Sequence, residues 1–197
     1  MYGFKRMLDI VLTVPAIVIL SPILLILIII SCLQIGRPIF FRQLRPGKDG
    51  HPFVLYKFRT MTNDKDISGD LLPDGRRITR LGCFLRSTSL DELPELFNIL
   101  KGDMSIVGPR PLLTQYLDRY TPQQQRRHEI KPGLTGWAQV NGRNAITWEE
   151  KFRLDVWYID HCDMWLDIKI IIMTIKNVLL QKGISQKDHA TMPEFGQ

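Results

Sequence analysis

Leu90-Asp91-Glu92-Leu93 sets two adjacent carboxylates in a 197-residue chain of formal net charge +6. Arg86 precedes them and a Gly108-Pro109-Arg110-Pro111 turn follows. Adjacent acids can ligate a hard cation such as magnesium, or one can act as a covalent nucleophile. Lys57, Arg86, Arg110 and Arg143 supply positive charge, and arginine grips phosphate with a planar fork. Neighbouring Gly and Pro turns let backbone come close to a ligand. These residue types suit chemistry on a phosphate.

A purely structural reading competes for the acids. Ser89-Leu90-Asp91-Glu92 has the spacing of a capping box, with Ser89 as N-cap and Glu92 three residues on. Acids in a first turn also complement the helix dipole. Pro94 tells against a helix begun at Ser89, because it would sit too deep and forfeit a backbone hydrogen bond. A helix begun at Asp91 puts Pro94 in the tolerant first turn. Asp155, in Leu154-Asp155-Val156, reads as a helix-surface acid within an apolar run. Asp160-His161-Cys162-Asp163 fits no common metal spacing and reads as a polar turn. No GxxxxGK[ST] loop, HExxH or CxxC is present. Cys32, Cys83 and Cys162 are far apart and odd in number, which fits a reducing compartment.

The elements that must position these residues begin with an uncharged apolar block from Ile10 to Leu33. Its length is that of a transmembrane helix. Ser21-Pro22 lies at its middle, where proline predicts a break and Ser21 can serve a freed backbone group. Each half is then roughly 18 Å long, short of a hydrocarbon core of about 30 Å. Lys5 and Arg6 precede the block, and Arg37, Arg42, Arg45 and Lys48 follow it. Positive charge on both flanks asks for both ends on the cytoplasmic side. A re-entrant helix-break-helix hairpin satisfies both conditions, and a kinked spanning helix competes with it.

Beyond the block, Pro38 to Phe41 and Phe53 to Phe58 read as short strands of an antiparallel hairpin, with turns at Pro46-Gly47 and Asp49-Gly50. Asn63 to Arg77 reads as an exposed loop. Leu93, Leu96, Phe97 and Leu100 follow helical spacing, and Gly102 ends that helix. Further helices are predicted from Leu112 to Tyr120, Pro122 to His128, Trp148 to Tyr158 and Trp165 to Leu180. Lys131 to Trp137 and Asn141 to Asn144 read as rigid turns. The helix from Trp165 carries a broad apolar surface suited to a core or to the membrane interface, as do Trp157, Tyr158 and Trp165 themselves. The fold class is helix-rich α+β.

Several stretches together closely resemble the bacterial monotopic phosphoglycosyl transferases of the small catalytic-core type. They are Arg45-Pro46-Gly47, Tyr56 to Met61, Arg86 to Pro94, Leu100 to Pro111, Pro132 to Arg143 and Leu154 to Tyr158. The likeness covers nearly the whole chain and is greatest to members that handle diacetylated bacillosamine in protein N-glycosylation. It implies a re-entrant membrane helix over residues 1–36, shaped by Ser21-Pro22. Residues 37–197 become a catalytic domain on the cytoplasmic face of the bacterial inner membrane, with interfacial amphipathic helices. The implied substrates are a UDP-linked acetamido sugar and undecaprenyl phosphate, with magnesium as cofactor and downstream glycosyltransferases as partners. Asp91 becomes the nucleophile toward the β-phosphate and Glu92 its partner, as magnesium ligand or base. Lys57, Arg86, Pro109, Arg110, Pro111, Arg143 and Asp155 become substrate-binding residues. Two rival readings are a UDP-sugar hydrolase and a non-catalytic membrane-anchored adaptor. The dispersed basic residues carry no nucleic-acid reader motif.

Overall fold

The computed structural model describes residues 2–142, 146–180 and 195. The chain opens with α1 (Tyr2–Gln34), a single helix. The helical assignment runs through Ser21-Pro22 without interruption. The local reason is visible. Pro22 has no N–H to give the Val18 carbonyl, and Ser21 Oγ donates to that carbonyl at 2.8 Å.

Asp9, Thr13, Leu24, Leu27 and Ser31 are buried at three- and four-residue spacing, one stripe along α1. Ile17 and Leu20 continue it between them, against Phe53, Leu55 and Leu96. Polar contacts fix both ends. Arg6 donates to the Ile99 and Leu100 carbonyls, Asp9 accepts from Ser105 Oγ at 2.9 Å, and Arg59 donates to the Ile35 carbonyl. The opposite face exposes Val11, Val18, Ile19, Leu25, Ile26 and Leu33. This helix is long and apolar enough to cross a membrane, yet one stripe packs on the rest of the chain throughout.

β1 (Phe40–Pro46) and β2 (Pro52–Phe58) form the expected antiparallel hairpin, in register Phe41 opposite Lys57. β1 runs beyond the predicted Phe41 because pairing with β2 outweighs its polar residues. Alternation puts Phe53, Leu55 and Lys57 on one face of β2, with Lys57 at its end. After the loop come short α2 (Asp74–Arg77) and α3 (Arg80–Thr88). Nothing in the sequence reading marked α3, whose polar residues and Gly82 hide its period. Gly82 is required there: a Cβ would lie 2.0 Å from the Thr60 carbonyl oxygen.

A 3₁₀ turn, Leu90–Glu92, leads into α4 (Glu95–Lys101), which Gly102 ends at φ 90° as expected. Asn98, fully buried, accepts from the Tyr56 N–H at 3.1 Å and donates to the Val54 carbonyl at 2.7 Å. One side chain thereby fastens α4 to β2 and sets Glu95 against Lys57.

β3 (Ser105–Val107) leads to a 3₁₀ turn over Thr114–Arg119, where an α-helix was expected, and then to α5 (Pro122–Gln125). β4 (Gly133–Thr135) lies in the segment expected as a plain turn and pairs parallel with β3. A Cβ on Gly133 would meet the Gly108 nitrogen at 2.1 Å, so glycine permits this approach. α6 (Trp137–Asn141), α7 (Trp148–His161) and α8 (Met164–Leu179) complete the fold. Asp163 caps α8, so the Asp160–Asp163 segment is a polar joint. Tyr158 is core and donates to Asp167, whereas Trp165 is 73% exposed on the apolar outer face of α8.

Candidate active site

Ser89 ends α3 in the left-handed region (φ 59°) and makes no side-chain cap. The capping-box reading is therefore corrected: the chain reverses at Ser89, and the acids occupy the turn before α4. Leu90 and Leu93, flanking them, pack with Leu24, Leu27, Phe58 and Leu85. α1 contributes Leu24 and Leu27 to that cluster.

The two carboxylates meet different surroundings, since neighbours in a helical turn do not face the same way. Glu92 Oε1 accepts from Lys57 Nζ at 2.7 Å and from Arg110 Nη2. Burial alone would raise the Glu92 pKa, but Arg110 and Lys57 hold it well below the usual carboxylate range. Asp91 has no hydrogen-bond or ion-pair partner among the described residues. Burial, then the Glu92 charge, pushes its pKa up to about 6, against the pull of Lys57, Arg110 and Arg86. Arg86 Nε is held by Thr60 Oγ1 at 3.1 Å.

Glu95 is an acid the sequence reading missed. It is 2% exposed, with its carboxylate 3.1 Å from Lys57 Nζ. Burial raises its pKa to about 7, partly offset by Lys57. The signal was present, because Glu92 and Glu95 stand three residues apart. For Lys57, burial lowers the pKa, and Glu92 and Glu95 more than offset it.

Lys57, Arg86, Asp91, Glu92 and Arg110 are therefore gathered as expected, from β2, α3, the 3₁₀ turn and the turn after β3. Pro109 and Pro111 flank Arg110 in that last turn. Arg143 lies outside the described residues. Asp155 is not on a helix surface. It is buried on α7, paired with Arg127 at 2.8 Å, one layer behind Arg110. Arg127 was also missed, since its partners are 17 and 28 residues away and no local pattern reveals them.

A cluster with one carboxylate unpaired among the described residues, one clamped by two cations and a third cation, Arg86, nearby can bind phosphate and attack it. Glu92 Oε2 and both Asp91 oxygens have no hydrogen-bond partner among the described residues. Hard oxygen donors of this kind suit magnesium, which takes one or two carboxylates beside substrate phosphates.

Comparison with known proteins agrees with this chemistry. The family model described as bacterial sugar transferase matches residues 1–181. An uncharacterized sugar transferase, EpsL, of Bacillus subtilis is 54% identical over 97% of this chain and 95% of its own length. The UDP-glucose:undecaprenyl-phosphate glucose-1-phosphate transferase of Klebsiella pneumoniae is 41% identical over 91% of this chain. The undecaprenyl-phosphate galactose phosphotransferase of Salmonella typhimurium is 40% identical over the same share. The chain spans 41% of the length of each of these two. It belongs to the bacterial sugar transferase family.

Proposed function

We propose that this chain moves a sugar-1-phosphate from a UDP-sugar to undecaprenyl phosphate and releases UMP, the first membrane step of a glycoconjugate. The observation that carries the reading is the divided acidic pair, with Glu92 clamped by Lys57 and Arg110 and Asp91 beside it without a partner among the described residues. An Asp91 oxygen bonds to the sugar-bearing β-phosphorus. The bond from that phosphorus to the bridging oxygen breaks, and its electron pair leaves on UMP. A phosphate oxygen of undecaprenyl phosphate then attacks the same phosphorus and frees the Asp91 carboxylate. Splitting the displacement this way keeps the two anionic substrates apart.

Lys57, Arg86 and Arg110 neutralise the diphosphate. Arg143 joins the substrate-binding set through the family resemblance, whereas Asp155, expected there too, is buried against Arg127 behind the turn. Asp91 and Glu92 would hold magnesium, whose role is to stabilise charge on the phosphates when bound. The resemblance supports an acetamido sugar such as diacetylbacillosamine, while the named relatives support glucose or galactose.

The reaction belongs at the cytoplasmic face of the bacterial inner membrane. α1 lies in one leaflet with both ends cytoplasmic, as a monotopic anchor over residues 1–36 beside a catalytic domain over residues 37–197. Support comes from basic flanks on both sides and from a helix tied at both ends to the same folded body. The exposed apolar face of α8, with Trp165, suits the interface. The lipid-linked product would pass to downstream glycosyltransferases.

The test is UMP release across UDP-glucose, UDP-galactose, UDP-N-acetylgalactosamine and UDP-diacetylbacillosamine. One of these alone should release about one UMP per enzyme and label Asp91. With undecaprenyl phosphate, turnover should yield a lipid-linked sugar phosphate. UMP only in the presence of the lipid rules out the covalent route. Continuous UMP release without lipid product indicates a hydrolase.

A further inference from the structure

We infer that Arg127, paired with Asp155 beneath the site, is a positioning residue that fixes the Pro109-Arg110-Pro111 turn so that Arg110 meets Glu92. The step it affects rests on the transfer reading above; the geometry does not.

Arg127 and Asp155 side chains are 1% and 3% exposed. Arg127 Nη2 donates to Asp155 Oδ2 and to the Arg110 carbonyl, both at 2.8 Å, and Nη1 donates to Tyr120 Oη at 3.3 Å. Each of the other two carbonyls in the turn is also taken. Pro109 O accepts from the Gly133 N–H at 3.0 Å, and Pro111 O accepts from Arg45 Nη1 at 3.3 Å. Both prolines have fixed φ and no N–H to offer. The turn therefore has little freedom left, and the group it presents to the acidic pair is the Arg110 guanidinium.

A buried ion pair explains a fold poorly by itself. Apolar side chains of similar volume usually stabilise as well or better, whereas removing one partner leaves an unpaired buried charge. An apolar pair cannot donate to the Arg110 carbonyl. That donation is what Arg127 adds, and Asp155 keeps the guanidinium aimed. Asp155 thus acts through Arg127 rather than on the substrate.

The experiment uses the full chain in detergent with the UDP-sugar that the panel above turns over fastest. The wild-type UMP burst tests the transfer reading alone. Steady-state UMP release by the variants tests the positioning role and requires no covalent intermediate. Arg127→Met/Asp155→Leu, which removes both charges together, should keep the wild-type Tm. Its kcat should fall about 100-fold while KM for the UDP-sugar moves less than about 3-fold. Arg127→Lys keeps the charge opposite Asp155, but a shorter side chain with one nitrogen replaces the Nη1 and Nη2 that together reach Tyr120, Asp155 and the Arg110 carbonyl. It should fold normally and lose about 10-fold in kcat. If the double variant fails to fold, Arg127→Lys carries the test. Wild-type kcat in a folded double variant, or in Arg127→Lys, overturns the inference.

Discussion

Asp91→Asn should stabilise the folded protein while abolishing turnover. The Asp91 pKa is raised from the usual 3.8 to about 6, first by burial and then by the Glu92 charge. A carboxyl raised in the folded state favours folding while protonated. That contribution is full below 3.8 and is lost as pH rises through 6. Ionisation at higher pH therefore costs the wild type stability, and asparagine, which cannot ionise, avoids the cost. At about 1.4 kcal/mol per pKa unit, the difference is on the order of 3 kcal/mol at pH 8 and under about 1 kcal/mol at pH 4. For a chain of this size that is a gain in Tm of about 6–12 °C at pH 8. Thermal unfolding of both proteins from pH 4 to 8, in detergent with chelator present, measures it. An Asn variant no more stable than wild type at pH 8, or a gain that does not shrink toward acid, would refute the account of Asp91.

Three further outcomes follow from the same geometry. Glu92→Gln removes the charge that gathers Lys57 and Arg110, so kcat should fall about 100-fold or more. Activity above about a tenth of wild type in a UMP-release assay would contradict the clamp. Gly82→Ala places a Cβ 2.0 Å from the Thr60 carbonyl oxygen, a backbone atom that cannot step aside. It should cost about 3 kcal/mol, read as a lowered Tm, and a wild-type Tm would show that α3 and Thr60 are not in contact. Cysteines at Gly3 and Gln34, in a chain with Cys32, Cys83 and Cys162 replaced, should both react with an impermeant maleimide from the cytoplasmic side. Labelling of either one from the opposite side would establish a true span.

The parts of the site visible in the sequence were those whose chemistry is local. Asp91, Glu92, Lys57, Arg86 and Arg110 stand in dense motifs, and the structure brings them together. Glu95 was overlooked because it also reads as an ordinary acid early in a helix. Arg127 and Asp155 find each other across 28 residues, and each alone resembles a surface charge. In the fold, α4, α5, α7 and α8 carried a period or a cap. β3 and β4 are three residues each, too short for any alternation to register. Thr114–Arg119 winds as 3₁₀ rather than α, a difference of one hydrogen-bond step that side-chain pattern does not encode. At Ser21-Pro22 the sequence identified the lost hydrogen bond and its replacement donor. Helical hydrogen bonding continues past that point, with Ser21 Oγ on the Val18 carbonyl.

Two adjacent acids can divide roles that one acid cannot hold together. A carboxylate in water keeps its ordinary pKa and is a weak nucleophile. One gripped by Lys57 and Arg110, as Glu92 is, falls lower still and has its lone pairs engaged. Asp91 lies near the same cations without bonding to them. It feels their attraction across a longer distance, while burial and the Glu92 charge push the other way. The outcome, about 6, leaves it largely ionised at pH 7 yet more basic than an exposed aspartate. Basicity raises nucleophilic strength as long as the reactive form stays populated. Leu90 and Leu93, on either side of the pair, pack against the cluster that includes Leu24 and Leu27 of α1. In the proposed transfer, the turn that would carry the nucleophile shares its apolar cluster with α1.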